Sequence, residues 1–132
     1  MAKYVYPAVF TPEEKGMYSV DFPDLEGCYT CGENLADALY MAEDALALML
    51  YHLEAENKSI PSPSASNEVP VTGNEFVNLV ACDTLEYQKR NNNKAIKKTL
   101  SIPEWLNEAA TAAGVNFSQV LQDALKRQLD LA

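Results

Sequence analysis

The chain has 132 residues, 48% of them hydrophobic, and a formal charge of −9. That length fits one domain or two small ones, with enough apolar residues for a core. It holds no apolar run near the ~18 residues of a membrane span, and its start, MAKYVYPAVF, lacks the layout of an export signal. A cytoplasmic protein with no membrane partner is therefore expected. The charge is uneven: residues 1–88 hold 15 acids and 3 bases, residues 89–132 hold 4 and 7, so −12 and +3 make up the −9. Such a split suggests two parts with different partners.

YVYPAVF (4–10) reads as a strand, which Pro7 should confine to an edge or a bulge. TPEEKG (11–16) is a turn. MYSVDF (17–22) alternates as a half-buried antiparallel strand, and CYTC (28–31) is a short third strand after the turn PDLEG. Gly32 leads into a helix that Asn34 caps. Its apolar stripe is Leu35, Ala38, Leu39, Ala42, Leu46, Met49, Leu50 and Leu53. Residues 57–74, with three prolines and four serines, are loop, and EFVNLVACD (75–83) is a further strand. The order strand, strand, strand, helix, strand gives a small α+β layer with one helix on a sheet. TLEYQKRNNNK (84–94) reads as a polar hinge, so the expected boundaries are 1–84, a linker at 85–94, and 95–132.

AIKKTLSI (95–102) alternates like a strand, with Lys98 on the apolar side. Pro103 belongs in a first helical turn, and Ser101 with Glu104 has the spacing of a capping box. The first helix carries Leu106, Ala109, Ala110 and Ala113. Gly114 stops it, Asn116 can cap the next, and Phe117, Val120, Leu121, Ala124, Leu125 and Leu129 form the second stripe. One strand and two helices in about 38 residues bury too little to stand alone. A lone strand also leaves backbone groups unpaired. A second copy cures both: two strands pair antiparallel over four helices in a twofold homodimer. A tetramer stays open if the N-terminal parts also associate.

In that ribbon Lys97, Thr99 and Ser101 point outward, where a two-stranded ribbon fits the major groove and such side chains can read base edges. Lys94 and Lys98 supply phosphate attraction, and the N–H groups of Phe117 and Ser118 behind Asn116 form an anion site. The alternative is an edge strand of the first sheet whose lysines block aggregation.

Other chemistries find little footing. Cys28 and Cys31 form a C-x-x-C, but only Cys82 and the lone His52 could complete a metal set, so no metal or cofactor is expected. Two-metal nucleic-acid cleavage would need clustered carboxylates, for which Asp21, Asp24, Asp37, Asp83 and Glu86 are candidates scattered over strand, turn and helix. No nucleophile set accompanies His52. No catalytic residue is assigned, and a non-enzymatic protein is expected.

Two resemblances follow from these residues. KKTLSIPEWLNEAATAAGVNFSQVLQDALKRQL (97–129) resembles a ribbon-helix-helix DNA-binding unit of the Arc and MetJ type. YSVDFPDLEGCYTCGENLADALYMAEDALALML (18–50) with the later IPSPS (60–64) is similar to the HicB family of antitoxins. That resemblance implies a reduced RNase H-like N-terminal domain that blocks a small, basic, mRNA-cleaving toxin of the HicA type. It also implies a C-terminal domain that represses the operon by binding operator DNA. The rival is a free-standing transcription factor whose N-terminal domain senses a ligand.

Overall fold

The computed structural model describes residues 2–131. Its elements are β1 (Lys3–Pro12), β2 (Tyr18–Asp21), β3 (Tyr29–Gly32), α1 (Leu35–Ala55), β4 (Phe76–Asp83), α2 (Thr84–Asn91), α3 (Glu104–Ala112) and α4 (Phe117–Gln128). Two compact units contain them, residues 1–94 and 95–132.

The first unit is a four-stranded antiparallel sheet, ordered β3-β2-β1-β4, with α1 on one face. Tyr6, Ala8 and Phe10 of β1, Val20 of β2, and Val80 and Cys82 of β4 meet Ala38, Ala42, Leu46, Ala47 and Leu50 of α1 in the core. The alternation legible in MYSVDF thus sets the buried face, and Ala38, Ala42 and Ala47 place small side chains on the helix side of the core. Leu35 and Leu39 of the expected stripe stay exposed; Ala47, outside it, is buried.

β1 is a central strand, which corrects the reading of Pro7. The strand pairs with β4 from Lys3 to Phe10, but with β2 only from Val9 to Pro12. Thr84 N–H donates to Ala2 O at 3.0 Å, one step beyond Lys3–Asp83, and this sets the phase of the ladder. Even residues of β1 then exchange bonds with β4, and odd residues face the other side. Pro7 therefore turns its donorless nitrogen toward a stretch that β2 does not reach.

Gly32 sits where β3 hands over to α1. A Cβ there would lie 2.3 Å from Ala38 N and 2.5 Å from Ala38 Cα, so only glycine lets the helix start against the strand. Asn34 caps that start by accepting from Asp37 N–H at 2.8 Å, and Asp37 accepts from Glu33 N–H at 2.9 Å.

The expected hinge at 84–94 is mostly a helix. Asp83 caps α2 by accepting from Leu85 N–H at 2.9 Å, and Lys89 and Arg90 complement its C-terminal dipole. Tyr87 packs against the core, its ring 5.5 Å from that of Tyr51. Buried Thr84 donates to Ala2 O at 3.1 Å and accepts from Ala2 N–H at 2.8 Å, tying the start of β1 to the start of α2.

In the second unit α3 is capped by Pro103, and no side chain bonds that end. The expected Ser101–Glu104 capping box is not formed: the N-cap is Pro103, two residues after Ser101, extended with ψ 143°, and the helix begins at Glu104. Gly114, at φ +71°, closes α3 in a Schellman turn: Gly114 N–H donates to Thr111 O, and Val115 N–H to Ala110 O, both at 3.1 Å. Residues 92–103 form no helix or strand within one chain.

Candidate nucleic-acid interface and partner surfaces

All four strands of the sheet come from residues 1–94, so 95–102 is not an edge strand of the first unit. Lys97, Lys98, Thr99 and Ser101 lie in this exposed stretch, and Lys94, also exposed, ends the first unit. No described residue of the second unit is buried. Ten large apolar residues there are exposed: Ile96, at 80%, Leu100, Ile102, Trp105, Leu106, Val115, Phe117, Val120, Leu125 and Leu129. These include most of the residues expected to face a second copy.

Asn116 caps α4 by accepting from Gln119 N–H at 3.1 Å. The Phe117 and Ser118 N–H groups ahead of Gln119 have no acceptor within the helix. Three of the expected phosphate-binding residues are thus together at one helix start. The structure does not bring them to the lysines within a single element.

Counting α2 with its own unit changes the electrostatics. Residues 1–94 hold 15 acids and 6 bases, net −9, and residues 95–132 hold four of each. The positive charge near the expected ribbon is local, in Lys97 and Lys98, rather than a property of the whole tail.

Four of the five carboxylates considered for metal chemistry have structural partners. Asp24 accepts from Ser64 N–H at 2.9 Å and from Ser64 Oγ at 2.5 Å. Asp37 and Asp83 serve helix starts, and Glu86 pairs with Lys89 at 3.1 Å. Asp21 is exposed on β2. No group of three His, Cys, Asp or Glu side chains that could hold a metal occurs among the described residues.

The Asp24–Ser64 bonds also join two motifs 40 residues apart, F-P-D-L-x-G-C and I-P-x-P-S. Tyr6 donates its hydroxyl to Pro61 O in the same loop. The long Pro/Ser loop is therefore fastened at two points, to Asp24 in the turn between β2 and β3 and to Tyr6 of β1.

Cys28, just before β3, is buried and Cys31, within it, is exposed, which breaks up the C-x-x-C. Burial, with Asp21 nearby, raises the Cys28 thiol from 9.0 to about 11. Burial, followed by Glu43, Asp83 and other acidic neighbours, raises Cys82 to about 12. Both are neutral packing groups, not thiolates. Tyr4 is also raised to about 12, by burial first and then by its 2.7 Å hydrogen bond to Glu54.

A four-stranded antiparallel sheet under one long helix, followed by a separate helix pair joined through a glycine, defines a small two-unit α+β protein. The model of the HicB-like antitoxins of bacterial toxin–antitoxin systems matches residues 6–125, and the chain belongs to this family. It is 37% identical over 73 residues to the HicB antitoxin of Escherichia coli K12, covering 51% of this chain and 53% of that protein. It thus spans about half the length of that curated relative. A HicB antitoxin of Photorhabdus laumondii is 31% identical over 97 residues, 72% of this chain and 68% of the relative. Among solved structures, a chain of a toxin–antitoxin complex from Streptococcus pneumoniae is 30% identical with a TM-score of 0.62, covering 96% of this chain and 99% of that one. The HicB of Burkholderia pseudomallei, at 19% identity and a TM-score of 0.53, shares the fold.

Proposed function

We propose that this chain is the antitoxin of a HicAB pair: its first unit binds and blocks a small mRNA-cleaving HicA-type toxin, and its second unit, paired with a second copy, represses the operon by binding operator DNA. The observation that carries the first half is the likeness, over nearly the whole of both chains, to a chain of a Streptococcus pneumoniae toxin–antitoxin complex. The −9 charge of residues 1–94 suits a basic partner, which it would steer. The order of elements in this unit supports a reduced RNase H-like description.

The second half rests on the ten exposed apolar residues of a unit in which no described residue is fully buried. Burying such side chains is worth roughly 1.5–3 kcal/mol each when complete. A second copy would cover them and pair the two 95–102 segments as a ribbon-helix-helix. In the ribbon Ile96, Leu100 and Ile102 face the helices, while Lys97, Thr99 and Ser101 face the major groove. With no capping bond at α3, Ser101 is available to a base edge. Lys94 and Lys98 contact phosphates, and Asn116 presents the Phe117 and Ser118 N–H groups to another.

Co-expression with the cognate HicA-type toxin tests the reading. Cells should survive with the full chain, and a reporter under the operon's own promoter should be repressed. Toxicity unrelieved by the full chain contradicts the first half; a reporter indifferent to it contradicts the second.

A further inference from the structure

β4 forms one edge of the sheet and pairs only with β1. Natural edge strands are usually short, bulged, or marked with lysine or proline, because an open ladder invites another strand. β4 has none of these protections. It is eight residues long, its register with β1 runs unbroken, and between Phe76 and Cys82 it carries no charge and no proline. The other edge, β3, has only four residues. The ladder phase fixed by Thr84 and Ala2 directs the N–H and C=O groups of Val77, Leu79 and Ala81 outward, away from β1. Beside this edge, Leu39, Tyr40 and Glu43 of α1 form a groove with Leu79, Val80 and Ala81. Tyr40 is 61% exposed and Leu79 55%.

We infer that this groove is where the basic toxin docks, by adding a strand to β4 and setting a lysine or arginine against Glu43. The inference rests on the antitoxin reading above. Strand addition supplies affinity through main-chain bonds, and the flanking side chains supply specificity. Charge selects the occupant. A second copy seated here would bring two units of −9 together, with Glu43 at the seam, and like charges across an interface oppose association. A basic partner turns the same charges into attraction.

The test is calorimetric binding of the purified cognate HicA-type toxin to the full chain and its variants, with melting curves and sedimentation of the toxin-free proteins. Leu79→Pro removes an outward N–H that β1 does not use, so the sheet should survive while strand addition is blocked. Its toxin affinity should fall at least 100-fold. Glu43→Lys should lose about tenfold and flatten the salt dependence. Leu48→Ala, on an exposed part of α1 outside this groove, should leave affinity unchanged. If Leu79→Pro melts early, Glu43→Lys combined with Tyr40→Ala decides instead, with a loss of at least 30-fold expected. Affinity within twofold of the unsubstituted chain in Glu43→Lys, and in whichever of these two variants folds, overturns the docking surface but leaves the antitoxin reading intact. A drop in the mass of the toxin-free chain on Leu79→Pro overturns it too, by placing a second copy on the edge. No binding by the unsubstituted chain defeats the antitoxin reading itself, and this inference with it.

Discussion

Gly32→Ala probes how α1 is held on the sheet. The added Cβ would sit 2.3 Å from Ala38 N, 2.5 Å from Ala38 Cα and 2.8 Å from Asp37 C. All three atoms belong to the backbone of the first helical turn, and Ala38 is fully buried, so no flexible side chain can swing aside. Overpacking of a core typically costs 1–3 kcal/mol, and a clash with backbone belongs at the top of that range, about 3 kcal/mol. Restricting the unfolded chain returns roughly 0.4–1 kcal/mol. The net loss is then about 2 kcal/mol. For a unit of this size that lowers the melting temperature by roughly 8–16 °C. Thermal melts followed by circular dichroism measure it. Asn34→Ala, which removes the cap but adds no clash, should cost only about 1 kcal/mol. A Gly32→Ala protein melting within about 3 °C of the original would refute the close approach of β3 and α1.

Four further outcomes are expected. Lys97→Ala should weaken operator binding by roughly 1–3 kcal/mol and relax base preference, measured on operator variants. Lys98→Ala should weaken all sequences alike and reduce the slope of log affinity against log salt by ~0.9; a change confined to one base position would reverse the two assignments. For thiol reagents, Cys31 alone should react in the native chain at neutral pH, and Cys28 and Cys82 only on unfolding; three fast thiols would contradict the packing. Because Cys28 and Cys82 titrate higher folded than unfolded, their contribution is complete below pH ~9 and is lost as pH rises toward about 11 and about 12. Denaturant midpoints should therefore fall above pH 9, and less so in Cys82→Ala.

Much of the fold was legible because alternation and helical spacing are local signals. The succession of strands along the chain, the long helix and its Asn34 cap, and the Gly114 stop each follow from a few neighbouring residues. The misreadings have equally specific causes. Asn91, Asn92 and Asn93 drew 84–94 toward a hinge, although Asp83 and Glu86 already had the spacing of a helix start. Pro7 looked like an edge marker because a sequence does not reveal that β2 stops at Val9's partner, Asp21. Ser101 and Glu104 had capping-box spacing, but Pro103 took the cap. The Asp24–Ser64 clasp spans 40 residues, beyond any local pattern. The open edge of β4 is a property of topology and could be seen only once the strand order was known. Among the residues proposed to face DNA, Asn116 is the one whose local role, a helix cap, is readable from the sequence. Lys97, Thr99 and Ser101 acquire a shared direction only if a second strand pairs with theirs.

That pairing is best tested by sedimentation equilibrium of the full chain, free and bound to operator DNA. Twice the chain mass, or a larger even multiple, is expected in both states, with each operator half-pair holding two chains. A single-chain mass that still binds the operator with full affinity would contradict a DNA-reading ribbon built from two copies.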